Sequence, residues 1–278
     1  MVECRVRRLI PWLVLIASGC ATTYQTRGLV LRVDPPSSTL TVSHDAIPGY
    51  MGAMVMPFAV RDRSALQTVH PGDVIEFRLR PKGSGTEIDR LKHLSAAGAD
   101  AGLTMTPSVV ALVKAGERVP DFTLTDQHGA QVSLSSLRGS VVAITFIYSR
   151  CPLPDYCPRM VGNLAEVRNR YRDRLGRDLT LLTVTFDPKY DTPEVLNRFA
   201  ARYGGNVPGW HFLSGSTEAI AAVCASFGIE YWPDQGLITH SLQTAVIDRD
   251  GILRASVEGR GFTGRQIADL VGTFLDPS

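Results

Sequence analysis

The hydrophobic pattern of the chain changes near residue 117, from short strands alone to strands that alternate with helices. Before that point, five short segments with strand character are separated by turn residues such as Pro, Gly and Asp. They are residues 29–33, 39–44, 54–60, 74–80 and 86–94. Five short strands in so small a span predict a closed β-barrel of the OB type over residues 28–95.

Residues 96–116 are rich in Ala, Gly, Ser, Thr and Pro, which predicts a linker, with a short helical piece expected near residues 109–114. Beyond it, two continuous apolar runs alternate with helical patterns, and a hairpin and a last helix follow. An acidic N-cap at Asp191, with Pro193 in the first turn, is expected to start one of these helices. The order predicts an α/β, thioredoxin-like domain over residues 117–278, and hence a multidomain protein.

The first nineteen residues have the pattern of an export signal. Arg5, Arg7 and Arg8 precede a short apolar stretch, which is too short to span a bilayer. The small residues before Cys20 resemble the lipobox of bacterial lipoproteins, in which this cysteine becomes the acylated first residue. Ordinary signal-peptidase cleavage nearby is the alternative. We expect a signal over residues 1–19, lipidation at Cys20, a tether over residues 20–27 and a location on the periplasmic face of a bacterial membrane.

Two cysteines follow the first continuous apolar run of the second domain. Cys151 and Cys157 lie where open α/β sheets place their ligands, and Pro158 suits the first turn of a helix. A helix N-terminus favours a thiolate, the form that binds metal or attacks a disulfide. A structural disulfide is the alternative in an oxidising compartment, whereas Cys224 lies in an apolar helix and is expected to be buried.

A histidine precedes the next strand of the same domain. In a thioredoxin-like domain, the loop before that strand lies against the loop after the first buried strand, so His240 is expected near both cysteines. Two thiolates and one imidazole form a soft donor set, which suits Cu(I), with zinc as the alternative.

Four segments of the second domain resemble the SCO/SenC family of copper chaperones. They are VPDFTLTDQHGAQVSLSSLRGSVVAITFIYSRC, then CP, TFDPKYDTPE and ITHSLQTAVIDRDG. The resemblance implies one copper ion bound by Cys151, Cys157 and His240, as Cu(I) with Cu(II) as a further state, and a role in loading the CuA centre of cytochrome c oxidase. Asp187, in TFDP, matches an acidic position of the family and is a candidate to support the ligands. This chain has five residues between its cysteines, where the family pattern has three.

Half of the methionines of the chain fall within six residues of the barrel domain: Met51, Met54 and Met56. On a strand, the last two project from one face, and Val55 between them is expected to be the core residue. Adaptable core packing is the alternative role for clustered methionines. Thioether and imidazole donors together select Cu(I) or Ag(I).

This segment is similar to the CusF periplasmic copper-binding module, which is also a small OB-type barrel. The resemblance implies His44, Met54 and Met56 as ligands. Met51 stands near the position of a tryptophan that caps the metal in that family, and it is a further candidate ligand.

The sequence therefore predicts a membrane-tethered copper metallochaperone rather than an enzyme. Its partner is expected to be the CuA-bearing subunit of cytochrome c oxidase or another copper protein. A thiol–disulfide oxidoreductase that uses Cys151 and Cys157, and a copper storage or tolerance protein, are the alternatives. Nucleic acid is not an expected partner, because the sequence pI of about 8.3 is mild and the basic residues are poorly clustered. Once residues 1–19 are removed, basic and acidic side chains are equal in number.

Overall fold

The structure is a computed structural model that describes residues 23–82, 85–94, 112–234 and 237–276. The predicted signal, the lipidated Cys20 and most of the predicted linker lie outside the described residues. Of the expected helical piece at 109–114, the described residues 112–114 are not helical. Within the described part of the chain, no helix is both long enough and apolar enough to cross a bilayer.

The first domain is a closed barrel of five strands in the order β1-β2-β3-β5-β4. The strands are β1 (Tyr24–Asp34), β2 (Thr39–His44), β3 (Met54–Val60), β4 (Val74–Lys82) and β5 (Gly85–His93). β3 and β5 pair in parallel, and the other neighbours are antiparallel. Large apolar side chains fill the interior, among them Leu40, Val42, Phe58, Ile75, Phe77 and Leu79. The predicted closed barrel is confirmed, but its first strand begins at Tyr24, inside the tether expected over residues 20–27.

The register between β2 and β3 decides which face of β3 points inward. Val42 pairs with Met56 and His44 with Met54, so these side chains share the face of the buried Phe58. Val55 points the other way and is 43% exposed, so the prediction that it is a core residue was wrong. The methionines instead line the inner side of the strand.

The second domain is built on a sheet of order β10-β9-β8-β13-β14, preceded by a hairpin of β6 and β7. Its strands are β6 (Thr123–Thr125), β7 (Gln131–Ser133), β8 (Val141–Ile147), β9 (Leu179–Thr185), β10 (Trp210–Leu213), β11 (Tyr231–Asp234), β12 (Leu237–His240), β13 (Gln243–Ile247) and β14 (Leu253–Glu258). Its helices are α1 (Cys157–Arg170), α2 (Pro193–Ala201), α3 (Thr217–Ser226) and α4 (Gly264–Leu275). β8 and β9 are buried along their whole length, because helices cover both faces of the sheet. The predicted thioredoxin-like domain is confirmed.

Helix α2 begins one residue later than the sequence pattern indicates. Thr192 is its N-cap and accepts a hydrogen bond from the backbone N–H of Val195, so the prediction of an N-cap at Asp191 was wrong. Asp191 is fully buried and turns toward the sheet instead. Because Asp191 does not cap α2, its carboxylate can accept hydrogen bonds from the loop that bears Cys151.

The two domains pack against each other through α4. Leu29, Leu31 and Val74 belong to barrel strands, yet they join the apolar core of the second domain. Polar contacts from the first turn of α4 reach the end of β2. The end of the barrel that bears His44 is therefore docked on the second domain.

Candidate metal centres

Three side chains of the second domain converge on one point. Cys151 lies in the loop after β8, Cys157 is the first residue of α1, and His240 is the last residue of β12. The two sulfurs and one ring nitrogen lie within 4.8 Å of one another. These are the residues that the SCO/SenC resemblance implies as ligands.

The position of Cys157 follows from how α1 begins. Pro158 occupies the first turn, where its missing N–H needs no partner. Cys157 Sγ is fully buried beneath the loop and lies 3.5 Å from the backbone nitrogen of Tyr148, which donates to it. Cys151 is only half-buried, and its Sγ lies 3.9 Å from the carbonyl oxygen of Leu153. One sulfur is thus fixed inside the domain and the other faces the opening.

The two thiols differ in proton affinity. The adjacent Cys157 thiol and, to a lesser extent, the His240 side chain lower the pKa of Cys151 well below its usual range, against the opposing effect of burial. Burial raises the pKa of Cys157, and the neighbouring Cys151 sulfur raises it further. In the reduced, metal-free protein, the accessible sulfur of Cys151 is therefore the thiolate.

The ring of His240 is held so that one nitrogen faces the sulfurs. Its Nδ1 lies 2.8 Å from the carbonyl oxygen of Ser241 and donates to it, which leaves the lone pair on Nε2. Nε2 lies 3.4 Å from Cys157 Sγ. The rings of Tyr148 and Phe186 pack against the imidazole, with centroids 5.7 and 4.6 Å away.

Two aspartates support the loop that carries Cys151. Asp191 accepts hydrogen bonds from the backbone N–H and hydroxyl of Ser149 and from the hydroxyl of Thr185. Asp187 accepts from Arg150 Nε at 2.8 Å, so it acts on the residue next to Cys151. The sequence indicated Asp187 as a supporting residue, whereas Asp191 was predicted only as a helix N-cap. Its position six residues after the end of the buried β9 was the signal for this other role.

A second soft cluster lies at one end of the barrel. His44 is fully buried, and its Nδ1 lies 2.7 Å from the carbonyl oxygen of Asp45, to which it donates. Its Nε2 is buried, and no group in the described part of the chain hydrogen-bonds to it. An unpaired buried acceptor is costly unless a ligand occupies it, so this nitrogen is suited to a metal.

The methionines near His44 differ in exposure. Met54 pairs directly with His44 across the two strands and is 45% exposed, whereas Met56 is partly buried two residues further on the same face. Met51 packs against the barrel core, and its backbone bridges to Ile47. His44, Met54 and Met56 thus lie on one face of the two strands. The Met54 side chain is open to solvent, and the Met56 side chain is partly covered.

Both donor sets fit a soft, thiophilic metal ion. Two sulfurs with an imidazole, and thioethers with an imidazole, are sets that select Cu(I). A small barrel followed by a thioredoxin-like domain, each with a candidate set of soft donors, is the architecture expected of a protein that binds soft metal ions.

The chain belongs to the SCO1/SenC family, whose model matches residues 112–275. Residues 23–93 match the model described as copper binding periplasmic protein CusF. Copper is the metal that these two matches and the Cys/Cys/His group together indicate.

Several Sco proteins are similar to this chain in sequence. The SCO1 protein homolog of Bacillus subtilis is 32% identical over 101 residues, 36% of this chain and 51% of that one. Protein sco1 of Schizosaccharomyces pombe is 26% identical, covering 55% of this chain and 59% of that one. The chain thus matches only about half the length of these relatives. An SCO2-like protein of Rickettsia typhi is 31% identical, covering 50% of this chain and 68% of that one.

Solved structures show the same fold for the second domain. A SCO1/SenC family lipoprotein from Bacillus anthracis superposes with a TM-score of 0.52 at 24% identity, covering 60% of this chain and all of that one. BsSco, a member of the Sco family of cytochrome c oxidase assembly proteins in which a disulfide switch was identified, has a TM-score of 0.50 at 26% identity, covering 58% of this chain and 96% of that one. Copper-bound yeast Sco1 also has a TM-score of 0.50, at 24% identity, covering 58% of this chain and 90% of that one.

Proposed function

We propose that this protein is an exported, membrane-tethered metallochaperone that delivers copper to the CuA centre of cytochrome c oxidase. The observation that carries the proposal is the convergence of Cys151, Cys157 and His240 within 4.8 Å at an accessible edge of the sheet. A half-exposed thiolate can reach a partner's ligands, while the buried Cys157 and oriented His240 retain the ion until transfer.

The barrel is proposed to capture Cu(I) through His44, Met54 and Met56, with Met51 as a further candidate. Thioethers are neutral ligands and bind Cu(I) without losing a proton, whereas thiolates are anionic and bind it more strongly. Transfer of Cu(I) from the barrel to the Cys/Cys/His centre is therefore expected to be favourable.

Cu(I) binding by cysteine variants tests the proposal. The reduced protein is titrated with Cu(I) anaerobically against a chromophoric chelator. Cys151→Ser is expected to abolish tight binding at the second domain. Cys224→Ser is the matched control, because Cys224 is also a free cysteine of this domain but lies buried in α3. Unchanged binding in Cys151→Ser would exclude this centre.

A thiol–disulfide oxidoreductase is the second candidate function. It is favoured by the accessible thiolate of Cys151 beside the buried thiol of Cys157. Such an activity needs both cysteines but not an imidazole ligand. His240→Ala is therefore expected to weaken copper binding at the second domain and to leave reduction of a disulfide peptide in place. Loss of oxidase maturation in this variant supports copper delivery, and full maturation supports the reductase.

The recipient is tested in cells that lack the gene. Delivery predicts a loss of cytochrome c oxidase activity that added copper partly restores. Copper sensitivity with normal oxidase activity would instead support a storage or tolerance role.

The proposed membrane anchor is tested by metabolic labelling. We expect radioactive palmitate to label the wild-type chain in its membrane fraction and Cys20→Ala to abolish the label. A soluble, unlabelled wild-type protein would show ordinary signal-peptidase cleavage instead.

A further inference from the structure

The first turn of α4 is hydrogen-bonded to the barrel strand that ends in His44. Gln266 Nε2 donates to the carbonyl oxygen of Ser43 at 2.9 Å, and Arg265 Nη2 donates to the carbonyl oxygen of His44 at 3.0 Å. Arg265 Nη1 also donates to Ser43 Oγ, which in turn donates to Asp269 at 2.7 Å. The thioredoxin-like domain therefore contacts the backbone of two consecutive residues at this end of the barrel.

The capping box of α4 fixes which way the Gln266 amide faces. Its Oε1 accepts from the backbone N–H of Thr263 at 2.8 Å, so its NH₂ group has to point toward the barrel. Gln266 is 2% exposed, and Ser43 and His44 are fully buried. A donor that is oriented in advance and shielded from water holds its acceptor firmly.

The same backbone sets the orientation of the His44 ring. Nδ1 donates to the carbonyl oxygen of Asp45, one residue beyond the segment that α4 holds. Gln266 Nε2 also lies 3.4 Å from Asp45 Oδ1. A shift of this segment would move the Asp45 carbonyl away from Nδ1 and release the ring, whose Nε2 is the unpaired buried atom.

We infer that Gln266 and Arg265 are positioning residues for the metal site of the barrel, so that His44 is held ready for a cation only while the barrel is docked on α4. The inference rests on the proposed role of His44 as a ligand. Partners that orient a metal-binding histidine typically change metal affinity by about 10- to 100-fold when they are lost. By linkage, a cation bound at His44 strengthens the contact between the domains by the same factor.

The test uses the full chain with Cys151→Ser and Cys157→Ser, so that only the barrel binds Cu(I). This double variant is called the parent. Gln266→Glu in this background keeps the acceptor for Thr263 but removes the donor to Ser43. Gln127→Glu is the matched control: Gln127 is also buried, donates to the carbonyl oxygen of Trp210 and accepts from the N–H of Phe212, far from the barrel. Cu(I) affinity is measured by chelator competition.

A second readout follows the ring itself. In the metal-free parent, ¹⁵N NMR of labelled histidine is expected to show His44 protonated at Nδ1 alone. Gln266→Glu is expected to mix the two tautomers and to weaken Cu(I) binding by about tenfold or more, with Gln127→Glu matching the parent. Arg265→Ala, at a partly exposed site, gives the same test if Gln266→Glu does not fold.

The outcomes separate the inference from the function on which it rests. Parent affinity and a single tautomer in both Gln266→Glu and Arg265→Ala would overturn the inference and leave the barrel site standing. An equal loss in Gln127→Glu would also overturn it, because the effect would then be general destabilisation. A parent that binds no Cu(I) would overturn the barrel site itself, and the inference with it.

Discussion

At both candidate centres a histidine is oriented in the same way. In His44 and in His240, Nδ1 donates to the carbonyl oxygen of the next residue, and Nε2 is left with its lone pair. This hydrogen bond is local, so the orientation of each ring depends on the position of the strand end on which it stands. The sequence indicated His44 through family resemblance, and His240 through its place in the fold as well as family resemblance. The shared geometry could not be predicted, because any residue can supply a backbone carbonyl.

The difference between the cysteines predicts selective alkylation. In the reduced, metal-free protein, iodoacetamide at pH 6 is expected to modify Cys151 far faster than Cys157 or Cys224. The lowered pKa of Cys151 keeps it ionised as the pH falls, whereas burial raises the pKa of both other thiols. Peptide mass spectrometry gives the three rates, and equal rates at Cys151 and Cys157 would contradict the assignment.

Asp191 is expected to be important for the stability of the loop that carries Cys151. Asp191→Asn replaces an acceptor of three hydrogen bonds by an amide whose NH₂ has to face donors. We expect the free energy of unfolding to fall by about 1–3 kcal/mol. Urea denaturation measures this, with Asp250→Asn in an exposed turn as the control; equal stability of the two variants would show that the buried contacts contribute nothing.

Among the secondary-structure elements, sequence patterns predicted correctly those strands and helices that have one buried face or are buried on all sides. The fully buried β8 and β9, and most of the helices, were evident from the sequence. β3 was placed but turned the wrong way, because Met54–Val60 is apolar on both faces and only pairing with β2 decides between them. The short edge strand β10 and the hairpin of β11 and β12 were missed, since four residues are too few to show a period.

Asp178 joins several elements at the end of the domain opposite Cys157. It accepts from Arg174 in the turn after α1 and from Arg249 in the turn between β13 and β14. The hydrogen bonds from Arg174 lower its pKa to about 2. This contribution to stability is complete above the unfolded pKa near 3.8 and is lost as the pH falls toward 2.

Asp178→Asn is therefore expected to reduce stability at pH 7 by about 1 kcal/mol, after allowing for solvent screening of the partly exposed arginines. The difference from wild type should shrink as the pH is lowered from 4 to 2. Thermal unfolding at several pH values measures it, and a difference that stays constant with pH would contradict the ion-pair account.

At the scale of the whole molecule, the structure adds a contact that the sequence could not show. The two domains were predicted as separate units joined by a linker, because patterning reports the faces of elements and not which domain covers them. Leu29, Leu31 and Val74 complete the core of the second domain from the barrel side. The two candidate centres are therefore parts of one assembled molecule.

Disrupting this apolar contact is expected to separate the domains. Leu31→Asp would bury a carboxylate in the interface, whereas Ala59→Asp places one at an exposed position of barrel strand β3. Small-angle X-ray scattering should show a larger radius of gyration for Leu31→Asp and an unchanged radius for Ala59→Asp. An unchanged radius in both variants would show that polar contacts alone hold the domains together.

The Cu(I) stoichiometry of the reduced full chain decides whether the molecule holds two copper centres. We expect about two tightly bound ions per chain, with one lost in Cys151→Ser/Cys157→Ser and the other in a variant with Met54 and Met56 both changed to Leu. One ion per wild-type chain, or two ions retained by either double variant, would contradict the existence of two copper centres at these residues.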